Sequence, residues 1–386
     1  MNATDAVRAF LEPHHLPLSD DLATFAREQI APLEPATDDA SARIQARQIL
    51  DRLGEGGLCR LPLPNDDDGK PDLRGCCLAR EHLAAASPLA DSVFALQCLG
   101  SLPILLAGSD EQRQRHLPGV AAGQTMTAFA MTEPGAGSDV SAIQTSARRD
   151  GDDWVLNGRK HLITNAGLAD LYVVFARTGA PADGVRGLST FIVEKDRPGC
   201  VFVRPQVLSE PHPLGEIAFE NCRVPATHLL GDENAGFKVG MRTLDRLRAT
   251  VAAAACGMAR RALDEALAHA QERRQFGQPL AEMQTVQQKL ARSATELDAA
   301  RLLTYRAAAL ADSGAERVTL ESAMAKSYAT EAAQRIVDDA VQIIGGRGLV
   351  DEHPVDRLYR AVRALRIYEG ATEVQQTVIA RQLMRR

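Results

Sequence analysis

No two of the seven cysteines, Cys59, Cys76, Cys77, Cys98, Cys200, Cys222 and Cys256, form a C-x-x-C pair, none has zinc-type spacing, and their number is odd. That pattern argues against a disulfide framework or a cysteine metal centre and leaves reduced thiols in packed positions as the expected state. A basic block is also missing. The 44 Lys and Arg residues stand against 50 Asp and Glu, a formal charge of -6, so neither nucleic acid nor an anionic membrane is an expected partner. No apolar run approaches the roughly 18 residues of a membrane span. Met1 to Asp5 lack the charged and apolar regions of a signal peptide, and a cytoplasmic location is the expectation. His14-His15 reads as a surface pair because adjacent side chains diverge, and no metal is expected.

What is present is a chain of 386 residues, 45% hydrophobic and 24% charged, the composition of a soluble globular protein with a large core. A small-molecule ligand is the better expectation. From residue 17 to about 127 the pattern is helical: Asp20 through Ile30, Ala42 through Leu53 ending in Gly54-Glu55-Gly56-Gly57, and Leu78 to Leu105 with a new helix starting at Ser87-Pro88. Ser109 is the expected N-cap of a further helix.

Near Thr127 the character changes to strand. Asp150-Gly151 and Asn157-Gly158 are hairpin signals, and Leu171 to Phe175, Ser189 to Val193 and Cys200 to Val203 are short β-rich runs. Trp154, the single tryptophan, is expected to pack there. From Gly236 onward long helical segments return. One ends at Ser313-Gly314, one runs from about Arg317 to Ile344 and stops at Gly345-Gly346-Arg347-Gly348, and a last begins after Glu369-Gly370.

The stretch most suggestive of chemistry is Phe129 to Asp139, in which an apolar run stops at Pro134-Gly135-Ala136-Gly137 and Ser138 and Asp139 follow. Its glycines allow positive φ and a close ligand approach, and Thr132, Ser138 and Asp139 can supply hydrogen bonds. An ordinary turn closing a strand is the alternative. It is not a dinucleotide fingerprint, because Val140 stands where a third Gly or Ala belongs.

Thr132 through Asp139, with Ile163-Thr164-Asn165, Arg273 through Gly277, Gln342 through Gly348 and Ile367 through Glu373 following in order, resembles the acyl-CoA dehydrogenase family from about residue 17 to the end. The resemblance implies an α+β, mainly α, fold. Its parts are an N-terminal helical domain over 1–127, a middle antiparallel β domain over 128–230 and a C-terminal long-helix (four-helix) bundle over 231–386. It also implies FAD between the β domain and the bundle, an acyl-CoA or carrier-protein-bound acyl substrate, an electron-transfer flavoprotein as acceptor, and a homotetramer, or at least a dimer.

Desaturating an acyl thioester between its α and β carbons requires a base, an oxyanion site and an acceptor for the β hydride. Glu369, between Ile367, Tyr368 and Gly370, matches the family's base. Burial there would raise its pKa, while the alternative is a carboxylate capping the last helix. Leu247 fills the position at which some relatives carry the base instead. By the same resemblance Phe129, Met131, Thr132, Ser138, Leu162 and Thr164 border the flavin ring and pyrophosphate. Arg273, Phe276, Gln284, Gln342, Gly345, Gly346, Thr372 and Glu373 hold the remainder of a flavin, in part a neighbouring subunit's. Ser138, Asp245, Arg248, Tyr368 and Gly370 lie by the substrate, although Asp245 and Arg248 could equally form a surface i, i+3 pair. Three departures concern the substrate more than the chemistry: Leu162 replaces a usual aromatic, Ala361 follows Arg360 where an Asp is common, and the segment from Leu208 to Glu216 is short and lacks the fatty-acyl pattern.

Overall fold

Capping chemistry sets the ends of several helices in the computed structural model, which describes residues 4–64 and 71–385. Met1 to Ala3 of the N-terminal stretch read above lie outside the described residues. By internal contacts the chain forms two units, one of residues 1–34, 73–91 and 245–386, the other of 35–72 and 92–244.

In chain order the helices are α1 (His15–Phe25), α2 (Asp39–Glu55), α3 (Leu73–Ala86), α4 (Pro88–Ala107), α5 (Asp110–Ala121), α6 (Gly236–Glu272), α7 (Gln284–Asp312), α8 (Thr319–Ile344), α9 (Pro354–Leu365) and α10 (Thr372–Leu383). The Asp38 carboxylate accepts from the Ser41 amide at 2.7 Å to open α2, and Ser109 opens α5 as expected, in a reciprocal box with Gln112. The sequence pattern missed α9, which His353 caps by accepting from the Val355 amide at 3.2 Å. His15 is fully buried and its Nδ1 accepts from the Glu12 amide, so the expected surface pair is half interior. The expectation that no apolar run reaches membrane-span length also needs correcting. α4 has 20 residues and a mean hydropathy of 1.7, with 83% of its apolar window buried; its alanines and leucines are core.

In the first unit α8 packs against α7, α9 and α10, and α3 packs against α1 and α7. Alanines dominate the buried faces, Ala252 to Ala255 on α6 and Ala325, Ala329, Ala332 and Ala333 on α8, which lets backbones approach closely. Gly257 is where that approach is tightest: a Cβ there would collide with the Glu81 carbonyl oxygen on α3.

The second unit holds the strands β1 (Thr127–Ala130), β2 (Ser146–Asp150), β3 (Asp153–Thr164), β4 (Leu171–Arg177), β5 (Leu188–Glu194), β6 (Cys200–Pro205) and β7 (Leu214–Pro225). Their order is β1-β4-β2-β3-β7-β6, with β5 also on β4. Most pairs are antiparallel, but β1 runs parallel to β4, so the sheet is mixed where an antiparallel one was expected. Asp150-Gly151 does turn β2 into β3. Asn157-Gly158 does not turn: it forms a bulge inside β3, where Gly158 has φ 150° and a side chain would strike Thr145. β7, the long partner of β3, escaped the sequence reading because Glu216, Glu220 and Arg223 interrupt its apolar alternation. Trp154 is buried as expected, edge-on to Phe191 at 5.5 Å.

Candidate active site

In the first unit the chain between α9 and α10 makes a tight turn around Glu369. The Thr372 amide donates to the Arg366 carbonyl at 3.1 Å, while Arg366 Nε and the Thr372 hydroxyl both donate to Glu331, at 2.7 and 2.8 Å. Closing the turn puts two successive residues in the left-handed region, Glu369 at φ 53° and Gly370 at φ 98°. For Glu369 that conformation costs about 1–2 kcal/mol, so the surroundings must hold it.

They hold it by its carbonyls. Arg248 Nε on α6 donates to the Glu369 carbonyl at 3.2 Å. Lys326 Nζ on α8 and Gln375 Nε2 on α10 donate to the Gly370 carbonyl at 2.7 and 3.2 Å. Arg248 is 5% exposed and is itself bridged to Asp245 at 2.5 Å, whose other oxygen accepts from Thr319 at 2.6 Å. The i, i+3 pair therefore faces inward, not to solvent.

The carboxylate is set apart from these bonds. Glu369 Oε2 is buried and has no hydrogen-bond partner. Burial raises its pKa, against the pull of Arg80, Lys326 and Arg248. Arg80, also buried, forms a two-point pair with Asp91 at 2.7 and 2.9 Å and donates to Thr250 at 3.0 Å. Burial pushes the neighbouring Tyr368 phenol up, with Arg80 acting in the opposite sense. Leu247 is buried and offers no competing base.

In the second unit the Gly-rich loop follows β1. Glu133 and Ala136 exchange backbone hydrogen bonds at 2.9 and 3.1 Å, and the Glu133 carboxylate accepts from the Gln144 and Thr145 amides and from the fully buried Lys160 at 2.7 Å. Lys160 also donates to the Met131 carbonyl. Burial opposes ionisation of Glu133, but Lys160 and these donors bring it below its ordinary value, while burial pushes Lys160 down to about 8. Gly135 and Gly137 do not adopt positive φ, contrary to the expectation; a side chain at either would point into open space, so their use is access. Asp139 is committed locally, accepting from the Ser141 amide and hydroxyl, while Ser138 is exposed.

Next to this loop, the His161 amide donates to the Thr132 carbonyl at 2.9 Å. Phe129 on β1 lies 4.9 Å from the Phe175 ring. Leu162, at φ 54°, turns its side chain outward, 49% exposed, while its amide donates to Gln206 at 2.7 Å. The Thr164 hydroxyl is 3.0 Å from His212 Nε2. Burial pushes His212 down to about 4, which favours the neutral imidazole.

The structure thus joins Glu369, Gly370, Arg248 and Asp245 in one hydrogen-bonded group, and has Phe129 on β1, Met131 and Thr132 just after it, and Leu162 and Thr164 at the end of β3. It leaves Arg273, Phe276, Gln284, Gln342, Gly345 and Gly346 exposed near the ends of α6, α7 and α8, with Phe276 94% exposed at φ 52°. Thr372 is buried with its hydroxyl given to Glu331, and Glu373 is exposed in the first turn of α10. Sequence reading missed Lys326, Arg80, Asp91, Lys160 and His212. The available signal was a charge in an alanine-rich run, as in Ala323-Met324-Ala325-Lys326.

Residues 12–124, 128–222 and 234–384 match the N-terminal, middle and C-terminal domains of acyl-CoA dehydrogenases. The chain is 40% identical over 380 residues to the 3-(aryl)acrylate reductase of Clostridium sporogenes, covering 97% of this chain and 100% of that protein. It is 39% identical over 372 residues to the cyclohexane-1-carbonyl-CoA dehydrogenase of Geobacter metallireducens, covering 95% and 97%. The structure of butyryl-CoA dehydrogenase from Megasphaera elsdenii is similar, with a TM-score of 0.91 at 33% identity, covering 97% of this chain and 99% of that one. The chain belongs to the acyl-CoA dehydrogenase family, as flavoprotein oxidoreductases with helical, β and helical domains in that order.

Proposed function

We propose that this protein desaturates an acyl-CoA thioester between its α and β carbons, with Glu369 as the base that takes the α proton. The observation that carries this is the Glu369 carboxylate itself. One oxygen is buried without a partner, its pKa is raised by burial, and it sits on a strained turn held by Arg248 and Lys326. Strain of this kind persists where the surroundings over-determine it, as they do at active sites. A raised carboxylate is a stronger base toward a weakly acidic carbon.

The residues present fit FAD. Open space before Gly135 and Gly137, the outward Leu162 side chain, Phe129 and Met131 and the polar Thr132 and Thr164 suit a flat ring with a polar edge. When bound, FAD supplies the two-electron acceptor for the β carbon. Phe129, Met131, Thr132, Ser138, Leu162 and Thr164 would hold it at the ring side. Arg273, Phe276, Gln284, Gln342, Gly345, Gly346, Thr372 and Glu373 would hold the remainder, in part across subunits of a homotetramer. Asp245, Arg248, Tyr368 and Gly370 would position the thioester, and an electron-transfer flavoprotein would collect the electrons. Two of the named relatives are a 3-(aryl)acrylate reductase and a cyclohexane-1-carbonyl-CoA dehydrogenase, so aryl and alicyclic acyl groups and both reaction directions belong in the assay.

The test is anaerobic bleaching of the flavin by a panel of straight, alicyclic and aryl acyl-CoAs, in the wild type and in Glu369→Gln. The variant should retain FAD and ligand binding while its bleaching rate falls by about 10²- to 10⁴-fold. A variant that bleaches at the wild-type rate removes Glu369 from the role of base.

A further inference from the structure

Lys326 is a fully buried cation, placed above only as one of the donors that hold the Glu369-Gly370 turn. An ammonium is retained in an interior only where other groups offset its lost hydration. The other two cations acting on Glu369 have carboxylate partners, Arg80 with Asp91 and Arg248 with Asp245. Lys326 instead donates to a neutral carbonyl, that of Gly370, at 2.7 Å, a bond that leaves its charge uncompensated. The acid that acts on it most strongly is Glu369.

We propose that Lys326 is a positioning residue for the base: it clamps the Glu369-Gly370 turn in its left-handed form and, as the cation not claimed by another carboxylate, holds Glu369 in the ionised, proton-accepting state. The inference rests on Glu369 being the base. Its geometry is one bond doing two tasks. The bond fixes the carbonyl of the residue after the base, and the same ammonium acts electrostatically on the carboxylate one residue earlier. The charged and titratable groups around the pair are Arg80 and Asp91, Arg248 and Asp245, and Tyr368, with Glu331 and Glu373 acting on the Lys326 side. Removing Lys326 leaves two cations already paired with acids, so the ionised carboxylate loses its uncompensated counter-charge.

The experiment uses full-length, FAD-loaded protein without substrate, so it does not depend on which acyl group is the right one. Infrared difference titration of the Glu369 carboxyl, with Glu369→Gln as the subtraction, is run in the wild type, Lys326→Met, Lys326→Gln and Lys326→Arg. Hydrogen exchange of the peptide covering residues 366–374 is followed in parallel. In Lys326→Met and Lys326→Gln the midpoint should move up by about one pH unit and exchange should quicken at least about tenfold, and Lys326→Arg should restore the midpoint. A folded, FAD-loaded Lys326→Met or Lys326→Gln with the wild-type midpoint overturns the proposal, even if its melting temperature falls. Bleaching by Glu369→Gln would defeat the base assignment, and these titrations would still report separately on Lys326.

Discussion

Three local circumstances act on Glu369, the proposed base: a left-handed backbone, burial, and the nearby cations Arg80, Lys326 and Arg248. Each can be removed alone. Gly370 has φ 98°, and a Cβ there would collide with Gln375 Nε2. Gly370→Ala should therefore lower stability by at least about 1–2 kcal/mol, read from chemical denaturation, and should slow flavin bleaching because the carbonyl of residue 370 can no longer meet Lys326. The motif around Glu369 was legible from its neighbours in the chain. Lys326 was not, because its importance comes from a bond across 44 residues, and nothing in the spacing of alanines on α8 marks which polar residue points inward.

At the scale of elements, helix ends were the easiest features to read and strand partners the hardest. Ser109, Pro88 and the Gly345-Gly346 stop act within one turn of chain, and the structure has helix ends at each. Asn157-Gly158 carries the local chemistry of a hairpin, yet β7 pairs along both sides of it, and the dipeptide becomes a bulge. The α3 to α6 contact is of the same non-local kind. Gly257→Ala would place a methyl group against the Glu81 carbonyl oxygen. It should cost about 1–3 kcal/mol as overpacking, measured by the denaturation midpoint. It should also shift the visible spectrum or bleaching rate if α3 moves, since the same helix carries Arg80.

Across the whole molecule, buried histidines make stability depend on pH. Burial pushes His82 and His116 down to about 4, and His212 likewise. The unfolded chain takes up these protons near pH 6.5 and the folded one only near 4, so stability is complete above about 6.5 and falls as pH drops through that window. His82 and His116 are each more than nine-tenths buried and should each cost up to about 3 kcal/mol by pH 4. Urea denaturation between pH 4 and 7 would check this. A midpoint that does not fall on acidification contradicts it, and His116→Gln should flatten part of the slope.

The amino-acid order alone determined which family this chain belongs to, the alternation of helical, β and helical segments, the Gly-rich loop and the candidate for the base, because all of these are written in residues adjacent or one helical turn apart. Only tertiary structure decided the parallel placement of β1, the bulge in β3, and the partners that tune the site: Arg80 with Asp91, Lys160 with Glu133, Thr164 with His212 and Lys326 with Gly370. The physical reason is that a strand's partner, a charge's counter-ion and the loss of water that shifts a pKa arise only when distant stretches of chain pack together.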